Sequence, residues 1–297
     1  MKLKAIFVVV VGVIAAFVAV AGNLEVAPYF QDHMVLQRGK PLTVWGKDAA
    51  GRTVTVSFAG QAANAVTGSD GLWEATFAQP FSLSSVSQTL TVSDNASESV
   101  SLSDILVGDV YLCSGQSNMH FMLRQENSAV TNFCSAADDG VRAIHVPENS
   151  SGSPAYDLPQ TTSSDSYGVG WGSCAVEGHR RNITSVGLNF ACYLRAANPG
   201  VPIGIVQAAF RGTLIEGWRV EGSCWKAMIA PYAKAKFSGV LWYQGESNAG
   251  MTADAYASAL HALVGEWRSV WGYNRYSIEA GPSLKSRSMM ERLGMKP

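Results

Sequence analysis

The 297-residue chain is short of charge: Asp, Glu, Lys and Arg make up only 15% of it, against 47% hydrophobic residues, and the formal net charge is -1. Without a long run of Lys or Arg it lacks the basic footprint of a nucleic-acid binder, and its hydrophobic share excludes a largely disordered chain. It has no glycine-rich phosphate cradle and no metal-ligand spacing, so no cofactor and no metal are expected. The turn Ser69-Asp70-Gly71 reads as a hairpin, because it lacks the alternating carboxylates of a calcium loop. Histidine is scarce, with five in all. The five cysteines (Cys113, Cys134, Cys174, Cys192 and Cys224) are too widely spaced for a zinc site; one or two disulfides and a leftover thiol are expected, with the pairing open.

Long hydrophobic runs are equally rare. The one strong example is the opening MKLKAIFVVVVGVIAAFVAVAGN, with Lys2 and Lys4 before an apolar run and Ala19 and Ala21 at its exit. This is the layout of a secretory signal peptide over residues 1–21, cleaved after Ala21; the competing reading is a single membrane anchor. Cleavage predicts a secreted or lumenal protein (lysosomal or extracellular, periplasmic in a bacterium) without stable membrane association. Asn95, Asn149 and Asn182 head Asn-x-Ser/Thr sequons, glycan acceptors in a eukaryotic host.

Two textures follow. Residues 22–103 hold short β-branched and aromatic runs broken by turn signals, and Val54, Val56 and Phe58 alternate with Thr53, Thr55 and Ser57. That period of two predicts a small antiparallel, β-sandwich-like domain. Over residues 104–272, apolar strands alternate with helical stretches, as where Tyr256, Leu260, Leu263 and Trp267 recur at helical spacing. An α/β domain with a mostly parallel sheet and flanking helices is expected there. The Ser-, Gly- and Pro-rich stretch from Pro147 to Cys174 reads as a long surface excursion, and residues 273–297 as a divergent tail.

Within DVYLCSGQSNMHFML, Ser117 stands at a strand-to-helix bend. A serine nucleophile needs such a place, so that amides at the helix start face the developing oxyanion. However, Met119 replaces the second glycine of a lipase elbow, and on the residues alone an N-cap serine is an equal reading. QAAFRGTLIEGW puts Gly212 just after another strand, and WYQGESN puts Gln244, Glu246 and Asn248 at the tip of a third. In an open parallel sheet these strand ends converge on one crevice. Trp73, Trp171, Trp218, Trp225 and Trp242 read as core residues before sugar-stacking platforms.

Taken together, DHMVLQR, VGDVYLCSGQSNM, VPIGIVQAAFRGTLIEGW, CWKAMIAP and GVLWYQGESN resemble the sialate O-acetylesterase family of the SGNH-hydrolase superfamily, from about Val26 to about Trp271. The resemblance implies a flavodoxin-like SGNH fold over 104–272, with Ser117 as nucleophile and its amide in the oxyanion hole. It further implies a second amide at Gly212, a side-chain donor at Gln244 or Asn248, and an orienting role for Glu246. Phe210, Arg211, Gly212 and Thr213 stand where the family usually has Trp-Gly-Gly-Thr, which places a guanidinium beside the hole. Lys226 to Pro231 likewise lacks the family's histidine.

The family completes its triad with an Asp and a His-Pro segment well beyond QGESN. The tail after Trp271 contains no histidine, so the catalytic Asp and His are expected in an absent C-terminal segment, leaving the esterase domain incomplete. Of the other histidines, His33 falls in the β unit, His145 in a strand and His261 on a helix. His120, at i+3 from Ser117, and His179, in the loop region, are the nearest substitutes as base. The expected activity is a serine carboxylic-ester hydrolase acting on an O-acetylated sugar, sialic acid by resemblance, and without the Asp and His that take up the hydroxyl proton the chain as given is expected to be inactive or nearly so. An acetylxylan-type esterase and a non-catalytic sugar-binding protein are the alternatives.

Overall fold

The computed structural model describes residues 23–126, 138–159 and 169–273. The expected leader, Cys134 and all of the tail after Tyr273 lie outside them. Eight strands come first: β1 (Glu25–Val26), β2 (Val35–Gln37), β3 (Thr43–Lys47), β4 (Thr53–Phe58), β5 (Gln61–Val66), β6 (Leu72–Thr76), β7 (Ser84–Asp94) and β8 (Ser99–Gly115). β1, β3 and β6 form a three-stranded sheet, while β5, β4, β7 and β8 run side by side in a larger one. Val54, Val56 and Phe58 face inward from β4. They share a core with Val44, Trp45, Trp73, Phe77 and Phe81, where Phe81 meets Phe58 and Phe77 edge-on at 5.0 Å each.

β8 is 17 residues long, and its burial alternates up to Asp104 and is continuous from Ile105 onward. Its first half pairs antiparallel with β7, and its second half pairs parallel with β11 (Ile203–Ala209) and β12 (Gly239–Tyr243). β9 (Val141–His145) lies beyond β11, also parallel. One strand therefore belongs to both units, and the boundary expected at residue 103 falls inside it. Alternate residues on these strands fill two cores. Val110, Leu112, Ile144, Val206 and Ala208 belong to one, and Tyr111, Cys113, Ala143, Ile203 and Ile205 to the other.

The described helices are α1 (Ser117–His120), α2 (Glu177–Arg180), α3 (Ser185–Ala197), α4 (Ser223–Met228) and α5 (Ala253–Trp271). Thr184 caps α3 by accepting from the Gly187 amide, and Thr252 caps α5 by accepting from the Ala255 amide. Leu263, Trp267 and Trp271 are the buried stripe of α5. Trp73, Trp171, Trp218 and Trp225 are buried, as core residues should be, whereas Trp242 is half-buried against the same core.

Two expectations are corrected. The end of the supposed surface excursion is strand β10 (Val169–Ser173), antiparallel to β9, where the indole of Trp171 donates to the Tyr29 carbonyl at 3.1 Å. One buried aromatic with a satisfied N–H outweighs the local glycines and serines. Second, no disulfide joins two of the described cysteines, and Cys113 and Cys224 carry free, buried thiols. Cys113, Cys174 and Cys192 lie in one core and Cys224 in the other, so the sheet separates Cys224 from the other three.

Candidate functional site

After β8 the chain passes to β9 and β11 on one side and later to β12 on the other. The C-terminal end of β8 is thus a topological switch point, where open α/β sheets form their ligand crevice. Gly115 ends the strand at φ 141°, and a Cβ there would lie 2.0 Å from the Tyr243 carbonyl oxygen. Only glycine permits β12 to come alongside here. The bend is fastened on both flanks: the Phe210 amide donates to the Gly115 carbonyl, and the Gln116 amide to that of Tyr243, each at 3.0 Å.

Gln116 is the N-cap of α1, and Ser117 is its first helical residue. The N-cap reading of Ser117 is therefore corrected by one position. Ser117 and Asn118 face solvent, whereas Met119 and His120 turn inward. Among the described residues, nothing is hydrogen-bonded to the Ser117 hydroxyl. Its amide is one of the N–H groups that a helix start leaves without an intrahelical partner.

The GQSNM and QGESN segments interlock. Gln116 Oε1 accepts from the amides of Ser247 (3.1 Å) and Gly245 (3.4 Å), and the Asn118 amide group donates to Glu246 Oε1. Glu246 thus ties its loop to the helix that carries Ser117.

Gln244 and Asn248 are buried and committed to the protein. Gln244 Nε2 donates to the Thr213 carbonyl (3.1 Å) and to Asn248 Oδ1 (2.6 Å), and its Oε1 accepts from the Tyr256 hydroxyl (2.8 Å). Asn248 Oδ1 also accepts from the Ile215 amide, and its Nδ2 donates to Glu216 Oε2 at 3.2 Å. Buried amides need such partners. Here they brace the 213–216 segment, and neither Gln244 hydrogen is left to point into the crevice as the resemblance implies.

Gly212 immediately precedes that segment. It is exposed at φ 72°, a Cβ there would meet nothing within 4 Å, and its amide has no backbone partner among the described residues. The N–H before it, on Arg211, donates to Glu148 Oε1 at 2.8 Å. The Arg211 fork reaches the same carboxylate through Nε (2.8 Å) and Nη2 (2.6 Å), and His120 Nε2 lies 3.5 Å from Glu148 Oε1. Sequence reasoning missed Glu148, although it stands just past the end of β9, where the strand-end argument that selected Ser117, Gly212 and Gln244 applies equally.

The histidines are placed as follows. Burial lowers the His120 pKa; Glu148 opposes this, while Arg211 and Arg124 add to it. Its ring meets that of His145 edge-on at 5.2 Å, and His145 Nδ1 is paired with the Asn182 carbonyl at 3.1 Å. His179 sits on the single-turn helix α2 instead of a loop, with Nε2 3.0 Å from the Ala143 carbonyl, and burial lowers its pKa too. His33 pairs with Asp104 at 2.7 Å, and His261 is exposed on α5. Among the described residues, no group of three or more His, Cys, Asp or Glu is placed to hold a metal ion. None of their helices is long and apolar enough to cross a membrane.

Comparison with known proteins places the family and the fold. The chain is 28% identical to the sialate O-acetylesterase of Rattus norvegicus over 82% of its own length and 56% of that protein's, and 28% identical to the human one over 82% and 53%. It thus spans about half the length of the curated relatives it matches. A carbohydrate acetylesterase from Xanthomonas citri, known by crystal structure, superposes with a TM-score of 0.75 at 30% identity, covering 84% of this chain and 58% of that one. Its fold is accordingly that of a carbohydrate acetylesterase, with a mixed nine-stranded sheet, flanking helices and a small antiparallel sheet. The model of one carbohydrate esterase family matches residues 107–281, from the second half of β8 past the end of α5, and the chain belongs to that family, the sialic acid-specific acetylesterases.

Proposed function

We infer that this chain carries the nucleophile half of a serine esterase that removes acetyl groups from O-acetylated sugars, with O-acetylated sialic acid, named by its relatives, as first substrate. The observation that carries the reading is the exposed Ser117 at the switch point, on a bend pinned between two parallel strands. In the proposed reaction Ser117 Oγ attacks the acetyl carbonyl, and the amides of Ser117 and Gly212 receive the oxyanion. Collapse expels the sugar hydroxyl and leaves acetyl-Ser117, which water then hydrolyses to acetate. Each oxyanion donor contributes about 3 kcal/mol to such a transition state. The Ser117 proton needs an acceptor, and we assign no described residue to that role. Secretion, through the leader read over residues 1–21, is part of the same proposal.

Treatment with a serine-directed fluorophosphonate, followed by peptide mapping, tests the reading. Labelling confined to Ser117 is expected, slow because no described residue accepts its proton, with little acetate released from an O-acetylated sialic acid; labelling elsewhere, or none, rejects it. A second reading, a sugar-binding protein without turnover, is favoured by the absence of any described histidine bonded to Ser117. Binding of the acetylated sugar without labelling would identify that case.

A further inference from the structure

One carboxylate touches both limbs of the crevice. Glu148 follows β9 by three residues, and its side chain is only 6% exposed. On one side it receives the backbone amide, Nε and Nη2 of Arg211, the residue immediately before Gly212. On the other it faces His120 Nε2 at 3.5 Å, one helical turn after Ser117. A carboxylate this far from water is retained only with partners, and a planar guanidinium fork fixes direction as well as charge. Because the same oxygen takes both the Arg211 amide and its Nε, the backbone entering Gly212 is held together with the side chain.

We propose that Glu148 is a positioning residue, which sets where the Gly212 amide stands relative to Ser117 without touching substrate. The proposal rests on the serine-esterase reading, and it accounts for the arginine at a position where the family usually has glycine. The guanidinium is the part of the clamp that reaches solvent, with its side chain 52% exposed. Substrates with bulky groups beside the ester must pass it.

Three variants and two readouts test this. Glu148→Gln keeps the shape but loses the charge-assisted fork, Glu148→Asp keeps the charge but falls short by a methylene, and Arg211→Lys keeps the charge but loses the fork. Hydrogen exchange by mass spectrometry over 116–121 and 209–214 needs no activity. Both segments are expected to exchange several-fold faster in all three variants, with melting temperatures close to the parent. Fluorophosphonate labelling is expected to slow by about tenfold to a hundredfold at saturating probe, the loss typical of a displacement near 1 Å, with little change in the half-saturating concentration. Unchanged exchange in both segments of Glu148→Gln, or full rescue by Asp, overturns the proposal. If the parent protein is not labelled at all, the esterase reading falls, and the exchange data alone decide whether Glu148 clamps the two limbs.

Discussion

Gln116 Oε1 accepts a hydrogen bond from the amide of Ser247 across 131 positions of sequence. The residue beside the candidate nucleophile thus holds the loop at the end of β12. Gln116 is nearly fully buried, so removing its carbonyl leaves the Gly245 and Ser247 amides without their acceptor. Gln116→Ala is expected to cost about 1–3 kcal/mol and to slow labelling of Ser117, while Gln116→Glu, which keeps an acceptor, should lose less. Urea denaturation of the three proteins checks the order, and an Ala variant as stable as the parent refutes it.

Ser117→Ala should remove fluorophosphonate labelling and acetate release entirely. Its exposed hydroxyl is bonded to nothing described and it is not the helix cap, so stability should change by less than about 0.5 kcal/mol. Residual activity above a few per cent in the purified variant would remove Ser117 from the mechanism.

Gly115 and Gly212 both have positive φ but differ in surroundings. Alanine at 115 meets a backbone oxygen at 2.0 Å, whereas at 212 it meets open space. Gly115→Ala is expected to prevent folding or to destabilise by more than about 3 kcal/mol, and Gly212→Ala to cost only the strain of its conformation, about 1–2 kcal/mol. Comparable denaturation midpoints for the two would contradict this.

Asp104 links the β unit to the parallel sheet, pairing with His33 and with the buried Arg142. Partial burial raises its pKa, but hydrogen bonds from His33, Arg142 and Ser87 prevail and hold it below the ordinary aspartate value. A depressed folded pKa stabilises above the unfolded value and loses its effect as pH falls through the folded one. The difference in melting temperature between the parent and Asp104→Asn should therefore be steady from about pH 7 to 5 and shrink below about pH 4. A difference that grows on acidification would reverse the sign.

The buried thiols of Cys113 and Cys224, whose pKa values burial raises, should react with Ellman's reagent only after unfolding. Reductant should leave the melting temperature unchanged. Rapid reaction of either thiol in native protein would show that its core opens.

What was legible in the sequence is what depends on neighbours along the chain. The change of texture near Ile105 is the point where β8 passes from half-exposed to buried on both faces, and the helical spacing of Leu263 and Trp267 is the buried stripe of α5. The strand-end tips of β8, β11 and β12 were legible for the same reason. Contacts across the fold were not. The Arg211–Glu148 pair joins positions 63 apart, and Trp171 is anchored 142 positions away on Tyr29, so local composition gave no sign of either. The direction of the Gln244 amide was equally hidden, since it is set by Thr213, Asn248 and Tyr256 together.

The shared strand β8 makes the antiparallel unit a ruler for the crevice. Side chains alternate along a strand, so a slip of one residue against β7 would carry every later residue of β8 to the opposite face. Cys113 and Leu112 would exchange cores, and the bend at Gly115 would no longer meet Tyr243. The ladder between β7 and β8 shifts register twice, between Ser84 and Gln88 and between Gln88 and Leu90, so the pairs on either side of those shifts together set where the candidate nucleophile stands, and the bend at Gly115 lies about 26 Å past Val107 at about 3.3 Å per residue. The antiparallel strands need never line the crevice to set the position of the residue at its edge.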